Sequence, residues 1–78
     1  MKNQNTLDKH LANGMQSMLD RNGLTIADLV RRTGLNRLTV EKCIGGNLKT
    51  AMLNYVAVCG VMGEEFHNIY WSAKNANN

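Results

Sequence analysis

Apolar residues recur along the chain at intervals of three and four, the spacing typical of amphipathic helices. In the first such run they occupy Leu7, Leu11, Met15, Met18 and Leu19. This pattern predicts a first helix that ends at Asn22-Gly23, because Asn and Gly tolerate the left-handed conformation at a helix end. A second helix is predicted from Thr25, which forms a T-x-x-D capping-box pattern with Asp28, to a stop at Gly34.

Three more helices follow in the pattern. The third begins at Arg37, after Asn36 as its N-cap, and ends at the pair Gly45-Gly46. The apolar face of the fourth consists of Met52, Leu53, Val56 and Ala57. The fifth begins at Glu64, and its apolar stripe consists of Phe66, Ile69, Tyr70 and Ala73. Because no strand pattern is present, we expect an all-α, five-helix single domain over residues 1–78, with frayed polar ends at about 1–5 and 75–78.

The third helix is predicted to bury one face and expose the other. At about 100° per residue, its apolar side consists of Val40, Cys43 and Ile44. The opposite side consists of Leu38, Glu41 and Lys42, flanked by Arg37 and Thr39. Arg and Lys can bind guanine, Glu can accept a hydrogen bond from cytosine, and an apolar group can contact the thymine methyl. The exposed side therefore carries groups that read base edges in a major groove.

Basic residues concentrate around this helix. Residues 31–49 contain five bases and one acid, a balance of +4, whereas the rest of the chain sums to −1, within a net charge of +3. The bases are Arg31, Arg32, Arg37, Lys42 and Lys49. A solvated helical face is the ordinary explanation of such a cluster, but its coincidence with the third helix favours a polyanionic partner.

Length and composition argue against several classes of function. In 78 residues there is little room for an enzyme cleft, and no nucleophile pattern accompanies His10 or His67. Cys43 and Cys59 lack metal-ligand spacing, so we interpret both as reduced core residues. We therefore expect no enzyme activity, cofactor, metal or small-molecule ligand. No apolar run is long enough to span a membrane and no signal-peptide pattern is present, so a cytoplasmic location is expected.

The segment LTIADLVRRTGLNRLTVEKCIGGN, residues 24–47, resembles the helix-turn-helix of the lambdoid phage repressor and Cro family, within the xenobiotic-response-element-type superfamily. The apolar and glycine positions of that motif are matched by Leu29, Gly34, Leu35, Val40 and Cys43. The resemblance extends to LNYVA at 53–57 and GVMGEEF at 60–66. It implies a lambda-repressor-like domain, with the helix-turn-helix in the second and third helices, that binds double-stranded DNA as a homodimer.

The resemblance and the two faces of the third helix together imply roles in DNA binding. The predicted base-reading residues are Arg37, Leu38, Glu41 and Lys42. The predicted contacts with the DNA backbone are Thr25, Arg31, Arg32, Asn36, Thr39, Asn47 and Lys49. For Arg31 and Arg32, a purely solubilising role is an equal alternative.

Several positions depart from the family pattern. Val30 replaces the usual Ala between helices two and three, and Ile26 replaces a Gln that contacts the DNA backbone. Leu19 and Ile44 replace an Arg and a Glu that pair between helices one and three. Because packed apolar residues can substitute for a buried ion pair, we expect Leu19 and Ile44 to meet in the core.

The fifth helix has more apolar surface than one core face needs, since Trp71 lies about 100° off its stripe. We expect Trp71, with Ile69 and Tyr70, to form a two-fold dimer interface. The alternative is that Trp71 closes the small core.

These features favour a transcriptional regulator, a repressor or Cro-like protein of a phage or mobile element, that acts as a homodimer on a palindromic operator. A second hypothesis is a protein-interaction module, antitoxin-like or adaptor-like, that uses the same helical scaffold. Salt separates the two, because binding through DNA phosphates weakens steeply as salt rises and an apolar interface need not.

Overall fold

The structure, a computed structural model, describes the backbone of residues 2–77 and the side chains of residues 7–76. Its helices are α1 (Lys2–Arg21), α2 (Ile26–Thr33), α3 (Arg37–Ile44), α4 (Met52–Val61) and α5 (Phe66–Asn77). No strand occurs within residues 2–77, so the all-α, five-helix prediction is confirmed. The polar ends are helical from Lys2 and as far as Asn77, where fraying was predicted. Met1 and Asn78 lie outside the described residues.

The short helices α2 and α3 begin and end at the predicted residues. The Thr25 N–H donates to the Asp28 carboxylate at 2.9 Å, and the Asp28 N–H donates to the Thr25 hydroxyl at 3.1 Å, which completes the capping box. Gly34 ends α2 in the left-handed conformation, with φ of 79°. The Asn36 side chain then accepts from the Thr39 N–H at 2.8 Å and caps α3.

A single core forms where the five helices meet. It contains fourteen buried apolar residues, among them Leu11 and Met15 of α1, Leu29 of α2, Val40 of α3 and Val58 of α4. α1 packs against α5 and α3, while α2, α3 and α4 pack against one another and α4 also packs on α5. The eight-residue helices α2 and α3 are too short to be stable alone, so burial of their apolar sides holds them in place.

Leu19 and Ile44 are both buried and belong to the same core cluster. Their predicted burial in the core is therefore confirmed, and their direct contact stays a prediction. A charged pair at this level of burial would require desolvation of both partners, which the two aliphatic side chains avoid.

The predicted apolar face of α4 is wrong. Met52, Leu53 and Val56 are 67%, 80% and 51% exposed, so Met52 is not a core residue. The buried positions are instead Tyr55, Val58, Cys59 and, just after the helix, Met62. The sequence MLNYVAVCGV is apolar almost throughout, so its periodicity does not define one face. Tyr55, the fourth residue of α4, makes contacts with residues distant in sequence, and these contacts select the buried side of the helix.

Tyr55 connects α4 to the turn after α3 and to α5. Its hydroxyl donates to the backbone carbonyl of Asn47 at 2.8 Å, and its ring stacks on Phe66 with a centroid distance of 4.5 Å. A buried tyrosine needs a hydrogen-bond partner for its hydroxyl, and here the carbonyl supplies one. These two contacts fix the rotation of α4 about its axis.

Cys43 and Cys59 are buried and unbridged, which confirms that they are reduced core residues. Burial raises the pKa of the Cys43 thiol to about 11 and that of the Cys59 thiol to about 12. The Cys59 thiol donates to the Met15 sulfur at 3.8 Å. Both side chains therefore remain protonated at neutral pH and behave as small apolar groups.

The turn after α3 lies directly against the backbone of α1. Gly46 is buried, with φ of 73°. A Cβ atom there would overlap the carbonyl oxygen of Asp8 and lie 2.7 Å from the backbone nitrogen of Ala12. Backbone atoms cannot rotate away as a flexible side chain can. Glycine is thus required both by the conformation of the turn and by its closeness to α1.

We expect Gly46→Ala to lower the free energy of unfolding by about 2–5 kcal/mol, because left-handed strain and overlap with α1 add together. Gly23→Ala isolates the first effect, since Gly23 has φ of 65° and no atom within 4 Å of its would-be Cβ. It should cost about 1–2 kcal/mol. Denaturant unfolding of both variants tests the idea, and equal losses of unfolding free energy would contradict it.

Gly60→Ala, in open space within α4, should be neutral or stabilising by up to about 1 kcal/mol.

Candidate nucleic-acid interface

The two faces of α3 are as the periodicity predicts. Val40, Cys43 and Ile44 are buried in the core. The opposite face exposes the four predicted base-reading residues Arg37, Leu38, Glu41 and Lys42. Leu38, near the middle of this face, is 61% exposed. We call this set of four the α3 outer face.

Two residues of the α3 outer face form a pair. The Arg37 Nε donates to the Glu41 carboxylate at 3.1 Å, one helical turn away. Both side chains are exposed, so the pair adds little to stability. Its geometric effect is larger, because the carboxylate accepts from Nε, the inner nitrogen, and so orients the guanidinium. Within the part of the chain whose side chains are described, the two terminal nitrogens of Arg37 have no partner. A guanidinium can bind a planar acceptor pair through those two nitrogens.

The two arginines of α2 differ in their surroundings. The Arg31 guanidinium donates to the Asp28 carboxylate at 2.7 Å, and Asp28 also belongs to the capping box with Thr25. Arg31 is therefore tied to the start of its own helix. Arg32 is exposed and makes no ion pair within residues 7–76. Of the two, Arg32 has the side chain that is more available to a phosphate.

The pKa of the Asp28 carboxyl lies below its usual range. The largest cause is the hydrogen bond from the Thr25 backbone N–H, followed by those from the Arg31 guanidinium and the Thr25 hydroxyl. All three donors stabilise the ionised form. The capping box thus depends on the charge state of Asp28.

A small polar cleft lies between the end of α3 and the start of α4. It encloses about 150 Å³, and its lining residues include Thr39, Lys42, Asn47, Lys49, Thr50 and Asn54. Four of the predicted DNA-contacting residues thus meet here: Thr39, Lys42, Asn47 and Lys49. The turn itself is ordered, since the Asn47 side chain accepts from the Lys49 N–H at 2.9 Å. We call the cleft lined by these residues the α3–α4 cleft.

Two features of the α3–α4 cleft were missed from the sequence. The Thr50 hydroxyl oxygen is buried without a hydrogen-bond partner among the described residues. Ala51, the N-cap of α4, has no side chain that could cap the helix, so N–H groups of its first turn remain available. An uncapped helix start beside Lys49 is visible in the run LKTAM, and it favours anions.

Other predicted backbone contacts have structural roles. The Thr25 hydroxyl and the Asn36 side-chain oxygen are engaged as helix caps. The Asn36 amide group remains a possible donor, because its cap uses only the side-chain oxygen, whereas the Thr25 hydroxyl also donates to Asp28. Both side chains are exposed.

The predicted dimer residues are not equally accessible. Ile69 is buried, and its side chain lies 3.2 Å from the position of a would-be Cβ at Gly14 of α1. It therefore belongs to the core of one chain and offers little surface to another, and its assignment to the interface stays a prediction. Tyr70 is half-buried. Trp71 is 50% exposed, so it does not close the core.

Within the described residues, no three or more His, Cys, Asp and Glu side chains are grouped as a metal site requires. None of the described helices has the length and apolarity needed to cross a membrane. Comparisons of the chain with models of protein families, with curated proteins and with solved structures find no match.

The capping box gives a pH-dependent prediction. Because the pKa of Asp28 is lower in the folded chain than in the unfolded chain, its contribution is present above the ordinary carboxyl pKa of about 4 and is lost as the pH falls through the lowered pKa. We expect Asp28→Asn to melt at a lower temperature than the wild type at pH 7 and at nearly the same temperature at about pH 2.

The control for this prediction is Asp20→Asn, which removes an exposed carboxylate near the end of α1. Thermal unfolding followed by circular dichroism measures both variants. A difference between Asp28→Asn and wild type that is as large at pH 2 as at pH 7 would show that the charge of Asp28 is not involved.

Proposed function

We propose that the chain is a sequence-specific, double-stranded DNA-binding regulator of transcription, in which α2 and α3 form a helix-turn-helix and α3 enters the major groove. The observation that carries the proposal is the α3 outer face. It joins a guanidinium, an exposed leucine, a carboxylate and an ammonium on one side of an eight-residue helix whose other side is buried. Such a combination can pair with the donors, acceptors and methyl groups that base edges present in a major groove.

Arg37 is the main base-reading residue in this proposal. Its terminal nitrogens match the N7 and O6 acceptors of guanine, and Glu41 holds the guanidinium from the other side. Glu41 therefore acts on specificity through Arg37, and it also repels a misplaced phosphate. Leu38 is placed to contact a thymine methyl, and Lys42 to contact guanine or the backbone.

The α3–α4 cleft supports contacts with the DNA backbone. Lys42 and Lys49 bring positive charge to it, and the uncapped start of α4 adds backbone N–H donors. Contacts of this kind fix the position of the recognition helix without reading sequence. Asn47 lies in the same cleft, and its backbone carbonyl is held by Tyr55. The phosphate-binding residues are thereby connected to the core.

A homodimer on a palindromic operator completes the proposal. Successive major grooves on one face of the duplex lie about 34 Å apart, so two α3 helices at that spacing require two copies. Each copy measures 34 × 22 × 17 Å between Cα extremes, a size that permits adjacent binding. A compact regulator of this kind would act through its concentration, as a repressor or Cro-like protein of a phage or mobile element does.

Replacing Arg37 by Ala should cost about 1–3 kcal/mol in specific binding and relax the preference at one symmetric pair of base positions. Selection of bound sequences from random DNA, followed by binding titrations, measures both effects. Arg21→Ala is the control, because Arg21 is an exposed base in a cleft between α1 and α5. A wild-type chain that enriches no two-fold symmetric sequence would contradict the proposal.

Glu41→Gln tests whether the carboxylate acts through Arg37. We expect Glu41→Gln to relax the preference at the same base positions that Arg37→Ala affects. The double variant should lose no more specificity than Arg37→Ala alone. If Glu41 instead accepts a hydrogen bond from cytosine directly, the preference at a different base position will relax. The losses of specific binding in the two single variants will then add in the double variant.

Lys49→Ala should weaken binding to all sequences alike and reduce the slope of log affinity against log salt by about 0.9, because one phosphate contact is lost. The same titration separates DNA binding from a protein-interaction module. Binding of a partner through apolar contacts would show no comparable salt dependence.

A further inference from the structure

A wide groove lies between α4 and the start of α5. It encloses about 930 Å³, a volume within the range of small-molecule sites in proteins. Its apolar and aromatic lining consists of Leu48, Met52, Tyr55, Val56, Phe66 and Tyr70. We call it the α4–α5 groove. The sequence predicts neither this groove nor a small-molecule ligand, because the pattern of α4 was expected to bury Met52 and Val56.

The two ends of the α4–α5 groove differ in polarity. Met52 and Val56, which are 67% and 51% exposed, form its wall along the first part of α4. Glu64 and Glu65 line the other end, in the turn that leads into α5. From Met52 to Gly60 the helix rises about 12 Å. An occupant of that length would meet apolar side chains at one end and carboxylates at the other.

The charged lining of the groove is acidic, although the chain as a whole is basic. The net charge of the chain is +3, yet no lysine or arginine is among the described residues that line the groove. Glu64 and Glu65 are exposed, and neither has an ion-pair partner within residues 7–76. The N-terminus of α5 offers them only about half a unit of positive charge. This end of the groove therefore attracts cations.

Three aromatic rings follow one another along the groove. Tyr55 stacks on Phe66 with ring centroids 4.5 Å apart, and Phe66 lies 5.9 Å from Tyr70 at a tilt of 45°. Tyr55 is buried, whereas Phe66 and Tyr70 are half-buried and keep part of their surface open to the groove. Ring faces attract organic cations and stack on other aromatic groups. The rings and the carboxylates therefore favour the same kind of occupant.

Gly60 leaves the groove open beside the carboxylates. It lies inside α4, where glycine is about 1 kcal/mol less favourable than alanine. Its φ is not left-handed, and a Cβ atom there would meet no atom of the described residues within 4 Å. Neither the backbone conformation nor the packing of the chain thus requires glycine at this position. The missing side chain instead leaves space in the lining of the groove.

We propose that the α4–α5 groove binds a lipophilic organic cation, a small molecule with an apolar body and one positively charged centre. The body lies against Met52, Val56 and the aromatic rings, and the charged centre lies at Glu64 and Glu65. A neutral or anionic molecule of the same shape gains nothing from the carboxylates. The proposal goes beyond DNA binding and uses no residue of α3, so it can fail or succeed separately from the proposed function.

Tetraphenylphosphonium and tetraphenylborate test the preference for positive charge, because the two ions have nearly the same shape and opposite charges. Each is titrated into the folded full chain without DNA and followed by the amide chemical shifts of the protein. The phosphonium should bind saturably, with the largest shifts at groove residues such as Val56, Gly60 and His67. The borate should bind the groove at least about tenfold more weakly, since two carboxylates repel it.

Three results of these titrations would overturn the proposal. The first is equal affinity of both ions for the groove, which would make it a site for any apolar molecule. The second is no saturable binding of the phosphonium below about 1 mM. The third is a set of phosphonium-induced shifts concentrated outside the groove.

Removal of the two carboxylates tests their role directly. The double variant Glu64→Gln and Glu65→Gln keeps the side-chain size and should raise the Kd of the phosphonium about five- to tenfold at low ionic strength. The matched control is Asp20→Asn with Glu41→Gln, which removes two exposed carboxylates outside the groove. Its Kd should stay within about twofold of the wild-type value, because such distant charges are screened. An equal rise in both double variants, or in neither, contradicts the proposal.

Gly60→Leu blocks the groove without removing a contact. Because the space at its Cβ is open, the free energy of unfolding should equal or exceed that of the wild type. The Kd of the phosphonium should rise at least about tenfold, since the leucine occupies the position of the ligand beside the carboxylates. Gln16→Leu, which adds an exposed leucine on α1 outside the groove, is the control and should bind as the wild type does.

Denaturant unfolding establishes that each variant is folded before it is titrated. A folded Gly60→Leu chain that binds the phosphonium as tightly as the wild type overturns the proposal. The glutamate variants keep the proposal testable independently of Gly60, because they change no atom of α4.

Discussion

The close contact between Gly46 and the backbone of α1 is the constraint on which the rest of the structure depends. It places the end of α3 against α1 without an intervening side chain. The next residue, Asn47, offers its carbonyl to Tyr55, and Tyr55 stacks on Phe66. One turn therefore determines where α3 ends, which side of α4 is buried and where α5 begins.

The residues of α3 that stabilise the fold are separate from those proposed to contact DNA. Its buried side and its cap at Asn36 hold the helix, while the ion pair on its outer side adds little. The outer residues are therefore free to serve specificity, since changing them costs the fold little. Leu38 can be exposed without loss of stability, because the core does not depend on it and single exposed leucines are common.

Local chemistry made α2 and α3 predictable. The capping box of Thr25 and Asp28, the left-handed Gly34 and the Asn36 cap all act within four residues, and the structure contains each of them. The Arg37–Glu41 pair has the i, i+4 spacing of a helical ion pair, so it too was readable from the sequence, although each residue was considered alone. The orientation of α4 was not readable, because its ten residues are nearly all apolar and contacts distant in sequence select the buried side. The exposure of Met52, Leu53 and Val56 depends on that orientation, and the sequence pattern could not reveal it.

The distribution of charge limits where a duplex could lie on the molecule. The bases around α3 attract phosphates, whereas Glu64 and Glu65, just before α5, would repel them. The start of α5 is therefore not suited to contact the duplex. An eight-residue recognition helix can contact only a few base pairs, which limits the affinity of one copy. Joining two copies makes the second half-site contact intramolecular, so affinity rises steeply without a new base contact. Under the proposed function, two copies would therefore supply the strength of operator binding, and α3 would supply its sequence preference.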